Sequence, residues 1–492
     1  MQLIINMNKW KTRILIAILL LPLLFINVKK SHDWGDDFAQ YLIQARNIVE
    51  GRPQTDNGLL VNEIDPVYAI EAYPIGFPLL ISPIYYFSKF SILPYNVFIS
   101  FVLFITGLLC FEFFRNRTNE FTSIILTLLY CYNLNLIDLK KQILSEIPFT
   151  CLLMLILLWP ELNAYRKKYS WIITGILLAS IVSIRLAGIA VVAAFILFEI
   201  NKIRNNVNLK ERSDGIVKLL FSLIATFFFF FLLNHLWFPI KAGGLLSFYS
   251  SAFASHELQA VDNIRFYYTV SEYLFPFYGK WIPSFWIFVA LSGWLIRFKK
   301  TPSICEYFFP IYALVIIFYP YSNAGVRFLI PILPLLLFYS GYFFYWLFSF
   351  TGKANKWIVS GILLAVLFAY IPPLKRIISS QSIIENGPQQ KESLELFNFL
   401  KTTPPNAAIV FCKARAMSLY SERSSLYTAK NQSDADAFVQ FHRYGLLYLV
   451  IAKVSPDNEI YDPRLLHFIS VYKDRYEHVW ENLHFNVYRQ RL

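Results

Sequence analysis

Membrane-length apolar stretches recur along most of this chain, at residues 12–27, 95–114, 121–138, 147–162, 171–187, 188–201, 218–238, 283–297, 307–322, 327–349 and 357–374. Each reads as a helix able to cross a hydrocarbon layer of about 30 Å. The rest of the composition agrees, because 56% of the residues are hydrophobic and only 16% are charged, where a soluble protein would carry about 25%. Eleven spans are therefore expected.

The formal net charge of +13 first suggests a polyanion such as nucleic acid, but its placement gives it a simpler meaning. With the amino terminus in the cytoplasm, the inward-facing segments hold Lys9, Lys11 and Arg13, then Arg115 and Arg117, then Arg166, Lys167 and Lys168. Lys202, Arg204, Lys210, Arg212 and Lys218 follow, then Arg297, Lys299 and Lys300, and finally Lys353 and Lys356. Basic residues in short cytoplasmic segments are the positive-inside pattern, so no nucleic-acid partner is needed. The first apolar run ends Leu24-Phe25-Ile26-Asn27-Val28-Lys29-Lys30 without a small-x-small cleavage site, which favours an anchor over a cleaved signal. Eleven spans then put the carboxyl terminus outside.

Two domains follow. Residues 1–374 form a transmembrane domain with outer loops at 28–94 and 239–282, and residues 375–492 form an extracytoplasmic α/β domain. The tail holds fifteen Lys and Arg against twelve Asp and Glu and lacks a span-length run, so it reads as water-exposed. Residues 407–411, 446–451 and 485–488 are short apolar runs read as buried strands, and 393–400 and 435–444 have helical spacing. The five cysteines lie in separate segments and make no disulfide framework. No phosphate-binding loop, HExxH helix, CxxC pair or convincing GxSxG elbow occurs, which argues against a nucleotide-driven enzyme or a zinc peptidase.

The chemistry-bearing residues sit at outer ends of spans. Asp36 and Asp37 follow the first run and open a short helix that Gly51 stops, with Gln40 placed for an Asp-x-x-Gln capping box. Carboxylates beside apolar sequence are costly and suggest catalysis, although helix capping would occupy one of them. Tyr73-Pro74-Ile75-Gly76-Phe77-Pro78 breaks the chain before the second span and could wedge a lipid cleft. Glu146 begins the fourth span, where it either favours the helix dipole or contacts substrate. Lys140 and Lys141 could meet an anionic headgroup or only snorkel to the interface. Arg185 and Arg327 stand in apolar company, and phosphate or a structural acid is the partner such an arginine needs.

These pieces together resemble the GT-C fold glycosyltransferases that use polyprenyl-phosphate sugars, especially protein O-mannosyltransferase and aminoarabinose-transferase relatives. The resemblance rests on Gly35-Asp36-Asp37 through Glu50-Gly51, Tyr73-Pro74-x-Gly76-Phe77-Pro78, Ser145-Glu146, Arg185-Leu186-Ala187-Gly188 and Arg327-Phe328-Leu329-Ile330-Pro331-Ile332-Leu333-Pro334. It implies transfer of a sugar from a lipid-phosphate donor to a lipid, glycan or protein acceptor outside the cell, with Asp36 as general base. Asp37 stands where the family often has Glu, which leaves its role open between support and metal contact. Glu146 would position substrate or ligate a divalent ion, although no His-rich ligand set accompanies the acids. A bacterial inner membrane suits the short loops. The rival readings are a flippase for lipid-linked sugars, for which no internal repeat is found, and an oligosaccharide polymerase or ligase.

Overall fold

Every apolar stretch carries helix in the computed structural model, which describes residues 2–60, 72–238, 259–275, 279, 281–319, 325–378, 384, 386–428, 433–444 and 447–491. Most of the outer loop expected at 239–282, including His256 and Glu257, lies outside the described residues. Backbone contacts divide the chain into two units. One draws on residues 2–28, 96–237 and 259–378, the other on 29–60, 72–95 and 384–491.

The first unit is a helical bundle. Six helices are long and apolar enough to cross a membrane: Ile92–Arg115, Leu186–Arg204, Leu209–Trp237, Ile282–Lys300, Val326–Leu347 and Trp357–Ile378, and Glu120–Cys131, Ser170–Ile184 and Ile304–Ile317 are shorter apolar helices. With lipid as solvent, helices gain from packing only where backbones approach closely, so small residues mark the seams. Gly293 is one: a β-carbon there would lie 1.9 Å from the Tyr339 carbonyl oxygen across the seam between Ile282–Lys300 and Leu333–Leu347. Gly175 is another, with Ala225 Cβ 2.4 Å from that position on the helix Leu209–Phe231. The outward face of this helix exposes Leu220, Phe221, Ile224, Phe227 and Phe228, a surface suited to acyl chains and not to water.

Prolines shape the later spans. The stretch expected as one helix over 327–349 begins as a 3₁₀ turn, Val326–Ile332, and becomes α-helical only at Leu333, because Pro331 and Pro334 remove backbone donors there. At the basic end of the bundle, Arg13 and Arg115 share Glu112 at 2.7 and 2.5 Å, and Arg117 pairs with Glu161. The segments opening the chain, closing Ile92–Arg115 and following Glu146–Leu158 therefore meet at one end.

The second unit is built on a six-stranded mixed sheet of β1 (Leu59–Leu60), β2 (Ala408–Val410), β3 (Ser424–Leu426), β4 (Leu447–Ala452), β5 (Tyr476–Glu481) and β6 (Phe485–Gln490), ordered β1-β3-β2-β4-β6-β5. The first four run parallel, and β6 and β5 close the sheet antiparallel. Val410, Leu426, Leu447 and Leu449 bury one core face with Phe441, Leu465 and Phe468 from the covering helices Asp434–His442 and Pro463–Val471. β1 belongs to the loop before the second span, and it pairs with β3 at Leu59 to Ser425 and Leu60 to Leu426. That loop thus enters the tail's own sheet. The chain leaves β2 through the helix Ala414–Ser421 to reach β3 on one side, then returns through Asp434–His442 to β4 on the other. The strand order therefore reverses between β2 and β4.

Candidate active site

The helix Asp37–Glu50 starts and stops where the sequence places it, with Gly51 left-handed at φ 66°. Asp36 holds the N-cap position but makes no capping hydrogen bond with its side chain. Its Oδ1 instead accepts the Ala416 backbone N–H at 3.2 Å. Ala416 lies in the first turn of Ala414–Ser421, where N–H groups lack intrahelical partners and the helix dipole favours an anion. The other oxygen, Oδ2, is buried and accepts no hydrogen bond among the described residues.

Arg415 organises the pair. Its Nη1 lies 3.3 Å from Asp37 Oδ1 and 3.8 Å from Asp36 Oδ2, and it donates to the Tyr73 hydroxyl at 2.8 Å. Tyr73 in turn donates to Asp37 Oδ1 at 2.6 Å. Tyr73 is held by its backbone: its N–H donates to Gln44 Oε1 and its carbonyl accepts Gln44 Nε2, both at 2.9 Å. Burial is the largest influence on Asp36 and raises its pKa from 3.8 to about 6, against the opposing pull of Arg415, Lys413 and the Ala416 N–H and with a small push from Asp37. Burial likewise pushes the Tyr73 phenol up, so it remains the proton donor to Asp37. A carboxylate held near neutrality, with one oxygen anchored and the other accepting no hydrogen bond among the described residues, has the properties of a general base.

Trp34 fixes the approach to this site. Its ring is buried edge-on against Phe397, Phe411 and Phe485 at centroid distances of 6.0, 5.5 and 6.1 Å, and its backbone N–H donates to Glu459 Oε1 at 2.7 Å. Glu459 Oε2 also takes Lys413 Nζ at 3.2 Å.

A second charged cluster belongs to the helical bundle. Glu146, at the first turn of Glu146–Leu158, is 1% exposed, with Arg185 Nη1 at 2.7 Å and Arg327 Nε at 3.5 Å from its Oε1. Arg185 also donates to Ser145 Oγ at 2.9 Å. Both guanidiniums flank the Phe328 ring, at 5.1 and 5.6 Å from its centroid. Each arginine sits at a break in helix, Arg185 extended after Ser170–Ile184 and Arg327 following Gly325 at φ 95°. The buried Tyr267 hydroxyl lies within electrostatic reach of both and makes no hydrogen bond among the described residues.

The remaining candidates are placed apart from these contacts. Lys140 is fully buried in the bundle with Nζ donating to Ser100 Oγ at 2.7 Å, and Lys141 pairs with Asp138 at 2.6 Å. Among the described residues no three His, Cys, Asp or Glu side chains stand together as metal ligands. The Arg415 guanidinium is the cation set against Asp36 and Asp37. Arg415 and Lys413 were not legible as site residues from charge alone. The signal was the basic pair Lys413-Ala414-Arg415 directly after a buried parallel strand, since carboxyl ends of such strands commonly carry function.

No family model matches the sequence, and no curated protein matches it either. Solved structures do. ArnT, an aminoarabinose transferase, from Cupriavidus metallidurans bound to undecaprenyl phosphate superposes with a TM-score of 0.57 at 10% identity, covering 97% of this chain and 97% of that one. The apo form of the same protein gives 0.56 over 98% of each chain. The archaeal oligosaccharyltransferase AglB from Archaeoglobus fulgidus, in complex with an inhibitory peptide and a dolichol-phosphate, gives 0.54 at 13% identity over 90% of this chain and 69% of that one. The chain has the GT-C fold of these membrane proteins.

Proposed function

We propose that this chain is a membrane glycosyltransferase that moves a sugar from a polyprenyl-phosphate carrier to an acceptor hydroxyl on the extracytoplasmic face of a bacterial inner membrane, with Asp36 as general base. The observation that carries the reading is the Asp36 carboxyl: buried, anchored through one oxygen on the Ala416 N–H, accepting no hydrogen bond at the other among the described residues, and poised at about 6. The GT-C fold supports it, as do neighbours solved with undecaprenyl phosphate and dolichol-phosphate.

In the reaction, Asp36 Oδ2 takes the proton of the acceptor hydroxyl as the acceptor oxygen attacks the anomeric carbon. The bond from that carbon to the phosphate oxygen breaks, and polyprenyl phosphate leaves as an anion. Arg185 and Arg327 are the groups assigned to the phosphate, because a guanidinium plane matches its oxygens and stabilises the charge that develops on leaving. The Tyr267 hydroxyl supplies a further donor. Asp37 and Tyr73 support the base through Arg415. No step of this reaction is assigned to a metal, since the guanidiniums of Arg185 and Arg327 carry the charge of the leaving phosphate. The amino terminus is assigned to the cytoplasm and the sheet domain to the opposite side, which accounts for the basic loops.

The test is release of free polyprenyl phosphate from a panel of polyprenyl-phosphate sugars by the purified protein, with a membrane extract as acceptor. Release that Asp36→Asn abolishes supports the proposal and identifies the donor sugar. No release from any donor, with the same lipid-linked sugars crossing the bilayer of reconstituted vesicles, would replace it with a transporter.

A further inference from the structure

Open sheets with parallel strands bind ligands outside the carboxyl ends of the strands, where strand order reverses. Here that point lies between β2 and β4, and what occupies it is another part of the same chain. Trp34 sets its ring against Phe411, the residue directly after β2, and donates its backbone N–H to Glu459 in the segment following β4. Asp36 places Oδ1 on the Ala416 N–H in the first turn of the helix that follows β2. A phosphate takes this position in folds that use it for nucleotides. Arg415, one residue earlier in the same turn, completes the cradle through Asp37 and Tyr73.

We propose that the tail domain is a docking module whose ligand is the chain's own acid loop, residues 33–37, and that Arg415 is the positioning residue that fixes this loop and sets the pH range in which Asp36 works. The inference rests on the transferase reading for its kinetic arm only. The groups facing Asp36 are Arg415, Lys413, the Cys412 thiol and the Ala416 N–H from the segment after β2, and Asp37 from its own helix. Tyr73 acts through Asp37, and Glu459 balances Lys413. Removing the Arg415 charge takes away the largest influence keeping Asp36 ionised against burial.

Two variants of the full chain test this, Arg415→Met and Arg415→Lys, each checked for a cooperative melt. Amide hydrogen exchange of residues 34–41 reads docking without any substrate. The proposal expects at least tenfold faster exchange there in Arg415→Met, with Arg415→Lys intermediate. The pH profile of polyprenyl phosphate release reads ionisation. Its acidic limb moves alkaline by about one pH unit in Arg415→Met, and Arg415→Lys, which keeps the charge but loses the planar fork, returns it toward wild type. Unchanged exchange together with coincident acidic limbs would overturn the proposal. A wild type that releases nothing would remove the transferase reading, while the exchange result would still decide whether the loop is docked by Arg415.

Discussion

Asp36→Asn should stabilise the sheet domain at neutral pH, and the dependence of that gain on pH isolates the charge. In the folded protein the Asp36 carboxyl titrates at about 6, against the 3.8 of an ordinary aspartate such as the unfolded chain presents. A carboxyl raised in this way keeps a proton that the unfolded chain has released. Its favourable neutral form is complete below about pH 4 and is lost as pH rises through about 6. Above that, holding the ionised group costs ~3 kcal/mol relative to water, a figure that little solvent reduces because the side chain is 14% exposed. Asparagine keeps the shape and carries no charge. The stability difference between variant and wild type should therefore move in the variant's favour by ~3 kcal/mol between pH 4 and pH 7.5, whatever constant offset the substitution brings. For a unit of roughly 200 residues this corresponds to ~6–12 °C in melting midpoint, measurable by differential scanning fluorimetry in detergent. An offset that stays the same at both pH values, or one that shrinks as pH rises, would refute the burial argument.

Trp34→Ala empties a pocket among Phe397, Phe411 and Phe485 and should cost about 3–5 kcal/mol, seen as a lower melting midpoint with faster amide exchange at residues 34–41. Gly293→Ile forces a side chain where the Tyr339 carbonyl stands 1.9 Å from the first added atom. It should lower the melting temperature of the purified protein, whereas Gly361→Ala, which meets nothing within 4 Å, should not. Glu146→Gln leaves Arg185 and Arg327 without their shared carboxylate and should destabilise the bundle by about 3 kcal/mol. Adding Arg327→Ala to Glu146→Gln should recover part of the loss in a double-mutant thermal series.

The apolar periods made the bundle legible, because a chain in lipid must satisfy its backbone within each segment and so writes its helices as continuous runs. They did not show where helices break: the 3₁₀ start at Val326 needs both prolines and the neighbouring packing. In the tail, the buried strands Ala408–Val410 and Leu447–Ala452 announce themselves by aliphatic runs, whereas Tyr476–Glu481 pairs on one side only and its Glu and His read as loop. β1 is two residues long, too short for any pattern, and it joins a sheet whose other strands lie more than 300 residues later. The same separation hid Arg415. Its partners Asp36, Asp37 and Tyr73 are local to the first loop, and only the sheet brings the arginine to them. Asp36 itself was readable as a helix start, but its role there was not, because the Ala416 N–H that anchors it belongs to the tail.

The central claim is that Asp36 takes the acceptor's proton in transfer from a polyprenyl-phosphate sugar. The most direct measurement is single-turnover transfer alongside binding of polyprenyl phosphate, for wild type and Asp36→Asn. The account predicts that affinity for polyprenyl phosphate changes less than twofold while the transfer rate falls about 10²–10⁴-fold, the usual worth of a positioned base. Transfer at the wild-type rate by a folded Asp36→Asn protein would contradict it.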